Sequence, residues 1–257
     1  MDVKTYLSRI GMTEIRKPTL SFLAELQHQH LCHVPFENLD ILQGVEIRLI
    51  PEELYGKVVQ RQRGGFCYEL NYLFSRLLQA LGYSVSLISA RVRKSDGTFG
   101  PEFDHMALIV RLQEEHYLVD VGFGDSCRRP LPLTGKKCAD VSGTYRIKPR
   151  TGDYALEKRK GKRWIPKYLF TTTPRRLADF DMMCSHQQSS LTSVFTKKLI
   201  CTIATPEGRI SVSDKHLTIT KNGKQKKVPF SSRKEREQAI RRYFGKHFGN
   251  TSIHTIE

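Results

Sequence analysis

RQRGGFCYELNYLF, residues 61–74, places two glycines before a cysteine and the cysteine before a helical pattern. Apolar side chains at three-to-four-residue spacing predict an amphipathic helix from Phe66 to Leu81, which Gly82 ends. The inward face of this helix consists of Leu70, Phe74, Leu77, Leu78 and Leu81. Counting back along this face puts Cys67 on the same side, so the periodicity alone favours a buried, unreactive thiol.

The position of Cys67 at a helix start favours a nucleophile instead. A free thiol has a pKa of about 8.5, and the unpaired N–H groups and partial positive charge of a helix N-terminus favour the thiolate. Gly64 and Gly65 allow a sharp turn and the close approach of a substrate, and backbone N–H groups at such a turn can hold a developing oxyanion.

The pattern around this helix predicts an α+β fold. Helical spacing covers Met1–Gly11, Leu20–Val34 and a short helix after Pro51, and from Tyr83 onward the period changes to two. The predicted strands are YSVSLISARV, HMALIVRL, HYLVDVGFG, YRIKPR and YALEKR. The last third predicts strands joined by hairpin turns at residues 206–208 and 222–223, followed by a helix from Ser232 to His247.

His105 is the histidine best placed to act as a base for Cys67. It begins HMALIVRL, and the next predicted strand carries Asp120. A two-residue loop at Gln113-Glu114 would place His105 and Asp120 diagonally on the same sheet face, about 7 Å apart at the backbone. A three-residue loop without a bulge would separate them, so a triad and a structural role for all three residues both remain open.

Charge and composition limit the function classes. The chain has 257 residues and a formal net charge of +16, which suits a polyanionic partner or a small phosphorylated cofactor. The start lacks the apolar block of a signal peptide, and no apolar run approaches the roughly 20 residues of a membrane span, so we expect a cytoplasmic protein. In that compartment the six cysteines are expected to be mostly free thiols.

A metal site is not expected. The sequence contains no C-x-x-C pair, and His28, His30 and His33 have no nearby acidic ligand to complete a metal set.

Four segments resemble the arylamine N-acetyltransferase family: VPFENLDIL, RGGFCYELN, HMALIV and VDVGFG occur in that family's order and spacing. The resemblance spans nearly the whole chain, including TPEGRISVSDKHLTITKNG. The lack of a long insertion before the last third is similar to bacterial-type members. Departures from the family pattern occur at Cys184, at Leu191 and in GPEFDH before the histidine.

The resemblance implies a fold in three parts with a core like that of cysteine proteases. These are an N-terminal helical bundle over residues 1–83 that carries the nucleophile, an antiparallel β-barrel over 84–195 that carries the histidine and aspartate, and an α/β lid over 196–257.

The resemblance also implies a ping-pong reaction through an acetyl-cysteine. Acetyl-CoA, as co-substrate, would acetylate Cys67 of a Cys67–His105–Asp120 triad. An arylamine, arylhydrazine or arylhydroxylamine would then accept the acetyl group, as in xenobiotic metabolism. No metal, nucleic acid or membrane partner is implied.

The resemblance assigns further roles by position. Phe36, Val92 and Phe123 would line the acceptor pocket, and Glu37 and Arg63 would form a buried ion pair that braces the nucleophile loop. The residues implied to contact CoA are Gly124, Ser189, Ser190, Thr192 and Ser193.

Two other function classes remain as alternatives. A thiol hydrolase or a transglutaminase-like enzyme would use the same triad. A basic nucleic-acid-binding module would use the dense basic run KNGKQKKVPFSSRKEREQAIRR, although the acidic residues and helical spacing of this run suit a solvated helix better.

Overall fold

A computed structural model describes residues 1–245 of the chain. Its α-helices are α1 (Val3–Arg9), α2 (Leu20–His33), α3 (Leu39–Leu42), α4 (Pro51–Tyr55), α5 (Cys67–Ala80), α6 (Asp181–Ser189), α7 (Val194–Lys197) and α8 (Arg233–Phe244). A π-helical turn at Gly56–Gln60 extends α4, and a 3-10 turn at Leu177–Phe180 precedes α6. The predicted end of the last helix at His247 lies outside the described residues.

Two antiparallel sheets follow the N-terminal helices. The larger sheet has the order β5-β4-β3-β2-β9-β8-β7-β6, and the smaller has the order β1-β10-β11-β12-β13. Contacts between β5 and β7 nearly close the larger sheet into a barrel. The strands are β1 (Phe36–Glu37), β2 (Ser84–Val92), β3 (His105–Leu112), β4 (Glu115–Val119), β5 (Leu131–Pro132), β6 (Cys138–Asp140), β7 (Gly143–Pro149), β8 (Tyr154–Lys160), β9 (Arg163–Phe170), β10 (Ile200–Thr205), β11 (Gly208–Ser213), β12 (His216–Lys221) and β13 (Lys224–Pro229).

The hairpin that carries the histidine has the register expected for a two-residue loop. Leu112 pairs with Glu115, and Leu108 pairs with Val119. Gln113 provides the left-handed conformation that this tight turn needs, with φ of 54°. The turns before β11 and β13 also fall at the predicted positions, because Thr205 pairs with Gly208 and Lys221 pairs with Lys224.

The sequence analysis missed β1, β5, β6 and β9. Strand β9 contains Pro166, which argues against a strand, and its pairing with β8 shifts register between Leu156 and Glu157. The shorter strands β1, β5 and β6 have only two or three residues, too few to show a period.

Helix α5 occupies the centre of the fold. Eleven of its fourteen residues are buried, and it packs against β2 and β3. Its side chains join those of α1, α2 and β3 in the largest apolar cluster of the described residues. The prediction of an inward face that includes Cys67 is therefore confirmed, because Cys67 is only 3% exposed.

Strands from two of the three predicted parts pair with each other. Strand β1 comes from the N-terminal segment but pairs with β10 of the smaller sheet. The division at residues 83/84 and 195/196 remains a prediction, and the last part includes residues beyond the described range. Within residues 1–245, no helix is long and apolar enough to cross a membrane.

A buried ionic network fixes the chain around the start of α5. The Arg63 guanidinium lies 2.9 Å from Glu37 and 2.8 Å from Asp40, and the Lys57 ammonium lies 2.8 Å from Asp40 and 2.9 Å from Glu69. Burial alone would lower the pKa of Lys57, but the surrounding carboxylates of Glu69, Glu37 and Asp40 raise it, so this residue stays charged.

Replacement of Lys57 by Met should strongly destabilise the fold. The substitution keeps the length of the side chain but leaves Asp40 and Glu69 without their shared cation. Breaking a buried pair in this way costs about 3–5 kcal/mol of unfolding free energy, measurable by urea denaturation. Lys224→Met, at an exposed position of β13, should change stability by less than about 0.5 kcal/mol. Equal losses for the two variants would contradict the structural role of the network.

Candidate active site

Cys67 is the first residue of α5, and the glycines before it allow close packing. Neither Gly64 nor Gly65 has the left-handed backbone that a sharp glycine turn would show. A side chain on Gly64 would lie 2.3 Å from the Pro35 carbonyl oxygen, and one on Gly65 would lie 2.6 Å from the Glu69 carboxylate. The glycines therefore let the loop pack against its neighbours, which corrects the turn argument made from the sequence.

The start of α5 is held by the ionic network described above. Glu69 accepts a hydrogen bond of 3.0 Å from the backbone N–H of Phe66, the residue before Cys67. The Glu37 backbone N–H donates to the Gly65 carbonyl at 2.9 Å. The position of the thiol thus depends on contacts from both the helix and strand β1.

His105 and Asp120 form a buried pair beside Cys67. The Nε2 atom of His105 lies 2.8 Å from Oδ2 of Asp120, and both side chains are less than 5% exposed. This contact leaves Nδ1 as the ring nitrogen that would receive a proton from the thiol. Gly122 follows in the same loop, where a side chain would lie 2.8 Å from the Cα of Cys67.

Asp120 is an ionised carboxylate despite its burial. Its Oδ1 accepts hydrogen bonds from Asn71 at 3.0 Å and from the Gly122 N–H at 2.9 Å, and its Oδ2 accepts one from the Tyr168 hydroxyl at 2.9 Å. Burial alone would raise the pKa of this carboxyl, but His105, Asn71 and Gly122 together hold it below the ordinary value.

Asn71 links α5 to strand β3, which carries His105, and to the loop after β4, which carries Asp120. It lies one turn after Cys67 and, besides Asp120, its amide donates to the Met106 carbonyl at 2.6 Å. Its side-chain oxygen accepts from the Val121 N–H at 2.9 Å. The side chain therefore fixes α5 against β3 and against the loop after β4.

The Cys67 thiol is not acidified by its position alone. Burial raises its pKa well above the ordinary value, and the nearby side chains of Cys184, Asp104 and Asp120 act in the same direction. The backbone N–H of Met106 opposes this effect by favouring the thiolate. Because desolvation opposes the thiolate, the favourable effect expected from the helix start does not replace the base that the sequence predicts for Cys67.

Cys67 and His105 open onto a cavity of about 450 Å³. Phe36, Val92 and Phe123 line this cavity, so the three residues implied for the acceptor pocket lie around the thiol. Gly124 also lines it with φ of +80°, a conformation that side-chain-bearing residues rarely adopt.

The four hydroxyl residues implied for CoA contact lie outside the lining of this cavity. Ser193 is buried, donates to the carbonyl and side-chain oxygens of Gln187 at 2.8 Å, and caps α7. Ser190 and Thr192 hydrogen-bond to each other, and Ser189 donates to the Ser185 carbonyl. The next residues along the chain, Val194 and Phe195, do line the cavity.

Sequence reasoning missed three residues that position the pair. Asn71 had a usable signal, because it lies four residues after Cys67 and so shares its helix face. Tyr168 had none, since it belongs to the unpredicted strand β9. Gly122 had none either, because its contact with the backbone of Cys67 depends on how α5 packs on the loop.

The remaining cysteines and the histidines of α2 form no comparable site among the residues that the structure describes. All six cysteines are free thiols. Within the described part of the chain, no group of three or more His, Cys, Asp or Glu side chains converges on a possible metal position. His28, His30 and His33 lie on α2, where buried His30 contacts the Tyr6 hydroxyl at 3.2 Å.

The chain is similar to known proteins over most of its length. Residues 19–253 match a family model described as N-acetyltransferase. The chain is 36% identical to the pineal gland isozyme NAT-3 of arylamine N-acetyltransferase from Gallus gallus, over 81% of this chain and 79% of that protein. It is 32% identical to the arylamine N-acetyltransferase of Mycolicibacterium smegmatis, over 100% of this chain and 96% of that protein.

A solved structure shares nearly the whole fold. The arylamine N-acetyltransferase of Mycobacterium marinum in complex with CoA superposes with a TM-score of 0.90 at 30% identity, covering 99% of this chain and 96% of that one. Together with the family match over most of its length, this likeness shows that the chain belongs to the arylamine N-acetyltransferase family, a family of acyltransferases.

Proposed function

We propose that the protein transfers an acetyl group from acetyl-CoA to an arylamine, arylhydrazine or arylhydroxylamine through an acetyl-Cys67 intermediate. The observation that carries this proposal is the placement of Cys67 and His105 on one largely apolar cavity, with His105 held by Asp120 at 2.8 Å. A nucleophile, a base and a group that orients the base are the parts that acyl transfer needs.

In the first half-reaction His105 takes the thiol proton at Nδ1 and the sulfur of Cys67 attacks the thioester carbonyl. The carbonyl oxygen becomes an oxyanion, which backbone N–H groups at the start of α5 would stabilise. The bond between the acetyl carbon and the CoA sulfur then breaks, and His105 returns the proton to the leaving thiolate. The exchange of one thioester for another leaves acetyl-Cys67 and free CoA.

In the second half-reaction the acceptor nitrogen attacks the acetyl carbon of Cys67. His105 removes a proton from the nitrogen, the carbon–sulfur bond breaks, and the proton returns to the sulfur of Cys67. Phe36, Val92 and Phe123 would hold the acceptor ring by face and edge contacts.

CoA would reach Cys67 by way of Gly124 and the mouth of the cavity. The missing side chain at Gly124 would let the pantetheine arm pass. Exposed Ser189 and Thr192, and half-buried Ser190, would donate hydrogen bonds to the cofactor, whereas buried Ser193 would position this segment. The +16 charge of the chain would attract the CoA phosphates.

Incubation with acetyl-CoA alone should add one acetyl group to the protein. The adduct should map to Cys67 by mass spectrometry of the intact protein and its peptides, because no acceptor is present to remove it. Cys67→Ala should give no adduct while keeping its circular dichroism spectrum. Cys138→Ala, which removes a half-buried thiol of β6, should be acetylated like the original protein.

Two outcomes would oppose this function. Absence of the adduct on the original protein would contradict the transferase proposal. If water hydrolysed the acetyl adduct as fast as arylamines accept its acetyl group, the result would favour the thiol hydrolase alternative instead.

Replacement of Asp120 by Asn should shift thiol reactivity to higher pH. The carboxylate stabilises the His105 imidazolium that forms when Cys67 loses its proton, and an amide cannot do so. We expect the rate of Cys67 alkylation by iodoacetamide at pH 7 to fall by about tenfold or more, a change of about 1.4 kcal/mol. The inflection of the pH–rate profile should move upward.

The matched control for this experiment is Asp214→Asn, a carboxylate of the smaller sheet that pairs with Arg236. It should leave the alkylation profile unchanged. An unshifted profile for Asp120→Asn would remove Asp120 from the proposed mechanism.

A further inference from the structure

Two carboxylates of the described residues line the cavity of Cys67. Asp125 pairs with Lys158 and Arg209, whereas Asp104 is not used in the proposed reaction. It lines the cavity together with Cys67 and His105, and its side chain is half-buried rather than sealed in the core. Most of the cavity surface is apolar, so this carboxylate is a strong local feature for any bound molecule.

The Asp104 carboxylate is held in a fixed orientation. Its Oδ1 accepts a hydrogen bond of 2.7 Å from the amide of Gln187, and its Oδ2 accepts one of 3.3 Å from the backbone N–H of Val92. Gln187 is itself held by Ser193, whose hydroxyl contacts both the side-chain oxygen and the carbonyl of Gln187. Each carboxylate oxygen can accept a second hydrogen bond.

The backbone before Asp104 supports this orientation at a conformational cost. Phe103 has φ of 65°, which is unusual for a bulky residue. Its N–H donates to the Ser89 hydroxyl at 2.6 Å, its carbonyl accepts from the Tyr68 hydroxyl at 2.8 Å, and its ring packs edge-on against Phe180. Strain that the surroundings hold in place in this way is typical of functional sites.

The charge of Asp104 opposes the proposed nucleophile. Burial is the largest cause of the raised pKa of the Cys67 thiol. The pKa is raised further by the side chains of Cys184, Asp104 and Asp120. Asp120 offsets its effect by a direct contact with His105. The Asp104 carboxylate acts on His105 only through its charge, because it accepts its hydrogen bonds from Gln187 and Val92. A carboxylate that makes thiolate formation harder needs another use in the same cavity.

Resting on the proposed function, we infer that Asp104 is a specificity-determining residue that accepts a hydrogen bond from an N–H group of the acceptor next to the attacking nitrogen. Acyl hydrazides and arylhydrazines carry such an N–H, whereas a simple arylamine has only its attacking NH₂ group. The cavity therefore favours acceptors with an N–N bond. Asp104 takes no proton and forms no covalent bond in this role.

The inference is tested with a pair of acceptors that differ only in this N–H group. The probes are benzhydrazide and its analogue methylated on the nitrogen next to the carbonyl. Transfer is followed from preformed acetyl-enzyme, so that only the second half-reaction is measured. For the original protein kcat/KM should be about tenfold or more higher for benzhydrazide, because a hydrogen bond to a charged acceptor is lost on methylation.

Asp104→Asn should reduce this preference to about twofold, and acetylation of Cys67 by acetyl-CoA should not become slower, because the lost charge opposes the thiolate. Glu207→Gln removes the same charge at an exposed turn outside the cavity lining and should leave the preference unchanged. If Asp104 instead received an amide N–H of the pantetheine arm, Asp104→Asn would slow acetylation and leave the preference intact, which would overturn the inference.

The original protein alone can also overturn the inference. Equal kcat/KM values for the two probes would exclude the hydrogen bond even if the Asp104 variant failed to fold. Failure of acetyl-CoA to acetylate Cys67 at all would instead remove the proposed function, so the two failures are distinguishable.

Discussion

The carboxylate of Asp120 is the group on which the arrangement of the site depends. Its four donors come from four places in the chain: His105 on β3, Asn71 on α5, Tyr168 on β9 and the backbone N–H of Gly122. A buried carboxylate is tolerated only when its charge is compensated in this way. The same contacts that keep Asp120 ionised therefore also fix the helix, the hairpin and the barrel sheet against one another.

A second buried network fixes the chain around the start of α5, where Cys67 lies. Lys57 and Arg63 neutralise the carboxylates around the start of α5, and one of these, Glu69, holds the backbone N–H that precedes Cys67. Such ionic groups contribute more to a unique geometry than to net stability, because their desolvation cost is large. Cys67 is thus positioned by two polar systems within an otherwise apolar interior.

The sequence was informative where the determinants are local. The inward face of α5 and the register of the β3–β4 hairpin follow from periodicity and loop length, and the structure confirms both. The hydrogen-bond partners of Asp120 come from segments far apart in the chain. Tyr168 was not predicted as one of them, because Pro166 argues against a strand in the segment that forms β9. Local sequence patterns also did not predict the direction of the hydroxyl groups that follow α6. The Ser193 hydroxyl turns inward and contacts Gln187.

The reactivity of Cys67 follows from the balance between burial and proton transfer. Desolvation raises the pKa of the Cys67 thiol, and the backbone N–H of Met106 opposes this effect. In the proposed reaction the thiolate forms as its proton moves to His105, where Asp120 would stabilise the resulting imidazolium. The periodicity that points to a buried cysteine is consistent with the proposed nucleophile: burial suppresses the free thiolate, and proton transfer to His105 would restore it beside the cavity.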